Sequence, residues 1–149
     1  RNGQMDKRYF AILKGEVTQT VTHVKAPLHK YVAANGERRV VVAHEGEGQS
    51  AHTQFNVEQK LSGYTTVRVK IFTGRTHQIR VHSASIEHPI VGDEKYGDFE
   101  LNRQLQRQGL KRMFLHAWRL QFDHPASGAR TELLAPLPPD LAIFVHDTP

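Results

Sequence analysis

The hydrophobic period of this chain changes abruptly near its middle, and that change limits the folds open to it. Residues 64–72 (YTTVRVKIF) alternate, with Thr66, Arg68 and Lys70 opposing Val67, Val69 and Ile71, as a strand with one face in a core must. From residue 76 to 87 (THQIRVHSASIE), Ile79, Ser83 and Ile86 instead fall at helical spacing, with Val81 and Ala84 beside them. Thr73 or Thr76 is positioned to cap that helix, and His88-Pro89 ends it, because the residue before proline disfavours helical dihedrals.

The flanking segments are mostly strands. Residues 7–14 and 17–24 read as two strands around a turn at Gly15-Glu16, and 38–43 (RRVVVA) as a third after the turn Asn35-Gly36-Glu37. Residues 53–58 alternate and pair with 64–72 as an antiparallel hairpin across Gly63. Residues 101–109 read as a short polar helix stopped at Gly109. Residues 114–122 and 131–134 read as strands around a turn at 125–128, and 138–145 as a last helix. The expected fold is α+β: a mixed, mainly antiparallel sheet with a few helices, in a single domain of 149 residues.

Composition removes several classes of function. Cysteine is absent, so disulfide scaffolds, thiolate metal sites and thiol nucleophiles are excluded. The longest apolar runs, such as Phe10 to Leu13, are four residues, far short of a membrane helix. With no targeting segment in view either, a cytoplasmic location is expected. The polar start Arg1-Asn2-Gly3-Gln4, followed almost at once by a strand, reads as a cut made inside a larger protein. A net charge of +5 is compatible with nucleic acid as partner without requiring it.

Ten histidines invite a metal reading, but His77 and His82 lie five apart on different helix faces, and His82 and His88 straddle a helix end. No metal site is therefore expected. A serine nucleophile lacks its G-x-S-x-G turn, and Gly46-Glu47-Gly48 carries acid where a phosphate loop carries lysine. The densest polar segment runs from Thr73 to His82, at a strand end opening into a helix. Arg75, His77 and Arg80 there suit an anion, phosphodiester or carboxylate; a solvated basic first turn accounts for them equally well. Tyr9, beside Lys7 and Arg8, suits either base stacking or a place in the core. Tyr64, Tyr96 and Trp118 read as core or loop anchors.

The run Gly74-Arg75-Thr76-His77-Gln78-Ile79-Arg80-Val81-His82, continued by His88-Pro89-Ile90 and Gly92-Asp93 through Tyr96-Gly97, resembles the third motif of the large-subunit rRNA pseudouridine synthases. Lys7-Arg8-Tyr9 with Ala11 resembles their tyrosine motif. Phe114-Leu115-His116-Ala117 with Phe122-Asp123-His124-Pro125 resembles their closing strand, and Ala135-Pro136 fits near its end. The opening segment from Arg1 to Tyr9 is most like the synthase C branch. The resemblance spans essentially the whole chain.

That resemblance implies a cofactor-independent isomerisation of uridine in 23S rRNA, with Arg80 and Tyr9 catalytic and Leu115, Arg75 and His77 binding substrate. Arg80 would pair with a nucleophilic aspartate, Tyr9 would stack on the flipped base and take or relay its carbon-5 proton, and Leu115 would wall the uracil ring. The family's aspartate sits in a His-Arg-Leu-Asp motif upstream of the tyrosine motif, and no Arg-Leu-Asp occurs here. Residues 1–149 are therefore expected to be a partial catalytic domain, inactive alone, whose nucleophile and any RNA-binding S4-type domain lie upstream. Gln49 stands where lysine is more usual. The expected partner is rRNA and the expected state a monomer. The competing readings are a non-catalytic RNA-binding module and, more remotely, a metal-dependent hydrolase.

Overall fold

The computed structural model describes residues 6–44, 46–123 and 127–136. Eight strands and two helices run in the order β1 (Asp6–Lys14), β2 (Val21–Val24), β3 (Leu28–Val32), β4 (Arg38–Val42), β5 (Thr53–Leu61), β6 (Tyr64–Ile71), α1 (Gln78–Ser85), α2 (Phe99–Arg107), β7 (Leu115–Asp123) and β8 (Arg130–Leu134). Six strands form one sheet in the order β2-β5-β6-β1-β7-β8, and β3-β4 form a separate two-stranded ribbon. Every pairing among these strands is antiparallel. The expected α+β architecture is therefore present. The expected last helix at 138–145 lies outside the described residues, as does the first half of the expected turn at 125–128.

The four-residue apolar run in β1 is explained by burial on both faces. Ala11 and Leu13 join Val67, Val69 and Phe55 under Ile79 of α1, while Phe10 and Ile12 join Leu105 of α2, Val91, Leu110 and Phe114 on the other side. A central strand covered on both faces has no polar side to alternate with. Thus α1 and α2 sit on opposite faces of the sheet, and β1 is its centre.

Three details depart from the sequence reading. β2 begins at Val21 and pairs with β5, so the turn at Gly15-Glu16 does not close a hairpin; β6 and β7 occupy the two edges of β1 instead. A strand at Leu28–Val32 directly follows Pro27, where the sequence showed only an interruption. The helix α1 has no threonine cap: its N-cap is His77, in the left-handed region at φ 54°, with no side-chain cap bond. The side chain of Gln78 takes over locally, its Oε1 accepting from the Arg75 amide (3.0 Å) and from the Thr73 hydroxyl (2.7 Å).

Candidate active site

Position 9 is aimed by a register break. Arg8 faces Arg119 of β7 but Tyr9 faces Ala117, so Trp118 is an extra residue against that step of β1. Bulges bend a strand and re-aim neighbouring side chains, and they recur beside functional sites. Alternation places Lys7 and Tyr9 on the face shared with Ala11, and Leu115, opposite Ala11, closes that face from β7.

A cleft of about 200 Å³ opens on this face, lined by Lys7, Tyr9, Ile71, Leu115 and the segment from Gly74 to Arg80 apart from Thr76. All five residues singled out from sequence, Tyr9, Arg75, His77, Arg80 and Leu115, line it. They arrive from two strands, from the turn into α1 and, for Arg80, from α1 itself. The cleft is smaller than the roughly 300–1,000 Å³ of drug-sized sites and suits a group the size of one base.

Arg80 does not face open solvent. Its Nε donates to Asp93 Oδ2 (2.9 Å) and its Nη2 to Asp93 Oδ1 (2.8 Å), a bidentate pair. The Asp93 side chain is only 1% exposed against 20% for Arg80, so the pair is sealed behind and open in front. Oδ1 of Asp93 also accepts the amides of Lys95 (2.9 Å) and Tyr96 (3.0 Å). Burial alone would raise the Asp93 carboxyl, but the Arg80 guanidinium and these amides outweigh it, and the group is held below its usual range. The same pairing raises Arg80. Two of its five N–H donors are thus committed, and the guanidinium is fixed in plane. The sequence reading gave Arg80 a carboxylate partner outside the chain; the partner observed is Asp93.

Asp93 was the residue missed. Its position was legible as the loop Gly92-Asp93 and as a piece of the third-motif resemblance, but its partnership was not, because it lies thirteen positions beyond Arg80 and past the end of the helix. The loop around it is sterically defined: a β-carbon at Gly92 (φ +84°) would meet the Arg112 carbonyl, and one at Gly97 would collide with the Asp93 carbonyl. Lys7 was also missed, although its spacing of two from Tyr9 on a strand put both on one face.

The remaining residues hold the rim. Arg75 Nε donates to the Ser50 carbonyl (2.7 Å), which pins the turn to the loop before β5. His77 Nδ1 lies 2.8 Å from the Tyr96 hydroxyl. Burial, then the charges of Arg80 and Lys95, push the His77 imidazole below its ordinary value, so it is neutral near pH 7. Burial pushes the Tyr9 phenol up, keeping it protonated. Beneath α1, Gln78 Nε2 donates to Thr53 Oγ1 (2.9 Å), which donates to His82 Nδ1 (2.7 Å), and His82 Nε2 donates to the Ala26 carbonyl (2.8 Å). A carbonyl only accepts, so the ring proton is assigned to Nε2. Among the described residues no three histidine or acidic side chains gather around a possible metal position, and no helix is long and apolar enough to cross a membrane.

The family described as RNA pseudouridylate synthase matches residues 1–85. That stretch is more than half of the chain and carries Tyr9, Arg75, His77 and Arg80. The chain belongs to the RNA pseudouridylate synthase family. Among its relatives, ribosomal large subunit pseudouridine synthase C of Escherichia coli (strain K12) is 44% identical over 139 residues, 92% of this chain and 43% of that protein. Synthase C of Pasteurella multocida (strain Pm70) is 40% identical over 141 residues, 95% of this chain and 43% of that protein. The chain therefore spans less than half the length of these curated relatives. The solved structure of human RNA Pseudouridylate Synthase Domain Containing 1 superposes with a TM-score of 0.75 at 27% identity, over 92% of this chain and 57% of that one. The pseudouridylate synthase fold is thus present here, with Leu115 supplied from beyond the matched family segment.

Proposed function

We propose that this chain is the C-terminal part of a catalytic domain that isomerises uridine to pseudouridine in large-subunit ribosomal RNA, acting as a monomer in the cytoplasm. The observation that carries the reading is convergence: Tyr9, Arg80 and Leu115, from three separate elements, line one cleft of about 200 Å³. The similarity to the synthase C relatives supports the substrate class.

In this reading the target nucleotide is extruded from its stack into the cleft. The bond from ribose carbon 1′ to uracil N1 breaks, the ring turns, and carbon 1′ bonds to carbon 5. Carbon 5 then gives up its proton and N1 gains one, so no cofactor is consumed. Arg80 contributes a fixed cation: with one edge clamped by Asp93, its uncommitted N–H groups are available to an aspartate from the upstream part of the protein. Pairing would keep that aspartate ionised and aimed. Leu115 offers an apolar wall that strengthens the charge pair by excluding water. Tyr9 stacks on the base, and its neutral hydroxyl relays the carbon-5 proton rather than holding it, because burial disfavours the phenolate. Arg75 and His77 shape the rim where the RNA backbone enters.

The test is to incubate the full-length protein with large-subunit rRNA transcripts and map pseudouridine. Conversion of defined uridines without added cofactor or metal is expected. RNA binding with no conversion at any uridine would make the protein a binding module.

A further inference from the structure

One side chain, Tyr96, touches both the β3–β4 ribbon and the candidate site. The Tyr96 hydroxyl accepts the amide of Val40 in β4 (3.0 Å) and lies 2.8 Å from His77 Nδ1. With His77 neutral, the hydroxyl proton goes to that nitrogen and both sides of the oxygen are satisfied. The Tyr96 ring carries two guanidiniums, Arg39 of the ribbon at 5.2 Å and Arg80 of the cleft at 5.1 Å from its centroid. Its own amide donates to Asp93 Oδ1, the oxygen that also accepts from Arg80 Nη2. Arg39 reinforces the junction by donating to the Lys95 carbonyl (2.9 Å).

Tyr96 joins three parts, the ribbon, the left-handed residue that starts α1, and the Arg80–Asp93 pair, beside the packing of Leu28 and Val40 on Val81 and the contacts of Lys95 with Arg38 and Glu37 that also seat the ribbon. A hollow of about 370 Å³ lies between ribbon and turn, with Lys30, Arg38, Thr76 and His77 among its lining residues. An anionic strand seated there would press on both partners of the Tyr96 hydroxyl.

We propose that Tyr96 is a positioning residue that couples the seat of the β3–β4 ribbon to the aim of Arg80, so that substrate contact at the ribbon and the setting of the catalytic cation are one adjustment. This rests on the uridine-isomerisation reading for its kinetic arm only. The hydroxyl serves the ribbon and His77, while the ring serves Arg80; the two functions separate by substitution.

In the full-length protein, Tyr96→Phe keeps the ring and loses the hydroxyl, so KM for RNA is expected to rise about fivefold with kcat within about twofold. Tyr96→Leu loses the ring as well, and kcat is expected to fall about tenfold beyond that. A second measurement uses no activity: in Tyr96→Phe, the His77 Nδ1 nitrogen shift should move and the Val40 amide should exchange faster in NMR. Unchanged NMR signals overturn the coupling. So do changes in kcat and KM that merely track the fraction of folded protein. If the unsubstituted protein makes no pseudouridine, the activity reading fails while the NMR arm still decides on the linkage.

Discussion

On one side of the cleft, α1 rests on the six-stranded sheet, with Ile79 in the main core, His82 fully buried in a chain of hydrogen bonds, and Arg80 gripped by a carboxylate that is itself 1% exposed. On the other side, the β3–β4 ribbon leaves Tyr31, Val32, Val41 and Val42 exposed and buries chiefly Leu28 and Val40, against Val81 and Ala51. An isolated two-stranded ribbon is marginal in water, so this one depends on that small cluster and on Tyr96. The contrast assigns different work to the two sides. On the proposed function, the group that meets a reacting atom sits on the over-determined side, and the surface proposed to adapt to an RNA strand is the loosely held one.

The contrast breaks most severely at Asp93. Asp93→Asn keeps the shape but leaves Arg80 without a counter-charge, and a loss of about 3 kcal/mol in stability is expected by denaturant titration. Turnover of the full-length protein should fall about a hundredfold, as for loss of one preorganised electrostatic contact. A near-normal rate would mean that Arg80 is aimed by something else. Acid should act next, and on the rigid side. Burial pushes the His82 imidazole below its ordinary value. The unfolded chain therefore takes up protons first as pH drops below about 6.5. Stability from this group is complete above that value and is lost as pH falls toward the lower folded one. Protection factors of the α1 amides, after correction for the intrinsic pH dependence of exchange, should fall between pH 7 and 5; Thr53→Val, which removes a partner of the ring, should alter that profile. The smallest effect is expected on the ribbon: Val32→Thr, 67% exposed, should change stability by less than about 0.5 kcal/mol. A larger loss by thermal unfolding would show that the ribbon face is covered.

The rigid side is also the part of the molecule that could be read from sequence. Alternation in residues 64–72 and the helical spacing from Ile79 gave β6 and α1, and Gly63 gave the hairpin, because burial on one face imposes a period. Of the ribbon, residues 38–43 were legible as a strand and match β4, but β3 escaped: Leu28–Val32 has only its first residue buried, so no period was imposed on it. The partner of β2 escaped as well, since pairing with β5 is a long-range choice that the local turn at Gly15 does not encode. Within the site, Tyr9, Arg75, His77, Arg80 and Leu115 were legible as types at a spacing and as a resemblance. Their mutual arrangement was not, and neither was Asp93, whose pairing with Arg80 forms only when the loop from Gly92 to Gly97 folds back beneath α1. Left-handed backbone at His77 had no signal, because the residue that favours it most, glycine, is not the one used.

The central claim is that a clamped guanidinium at position 80 acts on the chemical step. The direct measurement is the single-turnover rate of pseudouridine formation at saturating RNA, with the Kd measured in parallel, for the full-length protein and Arg80→Ala. The account predicts a rate at least about a hundredfold lower with Kd within about threefold. A variant that binds RNA poorly yet converts each bound uridine at the normal rate would contradict it.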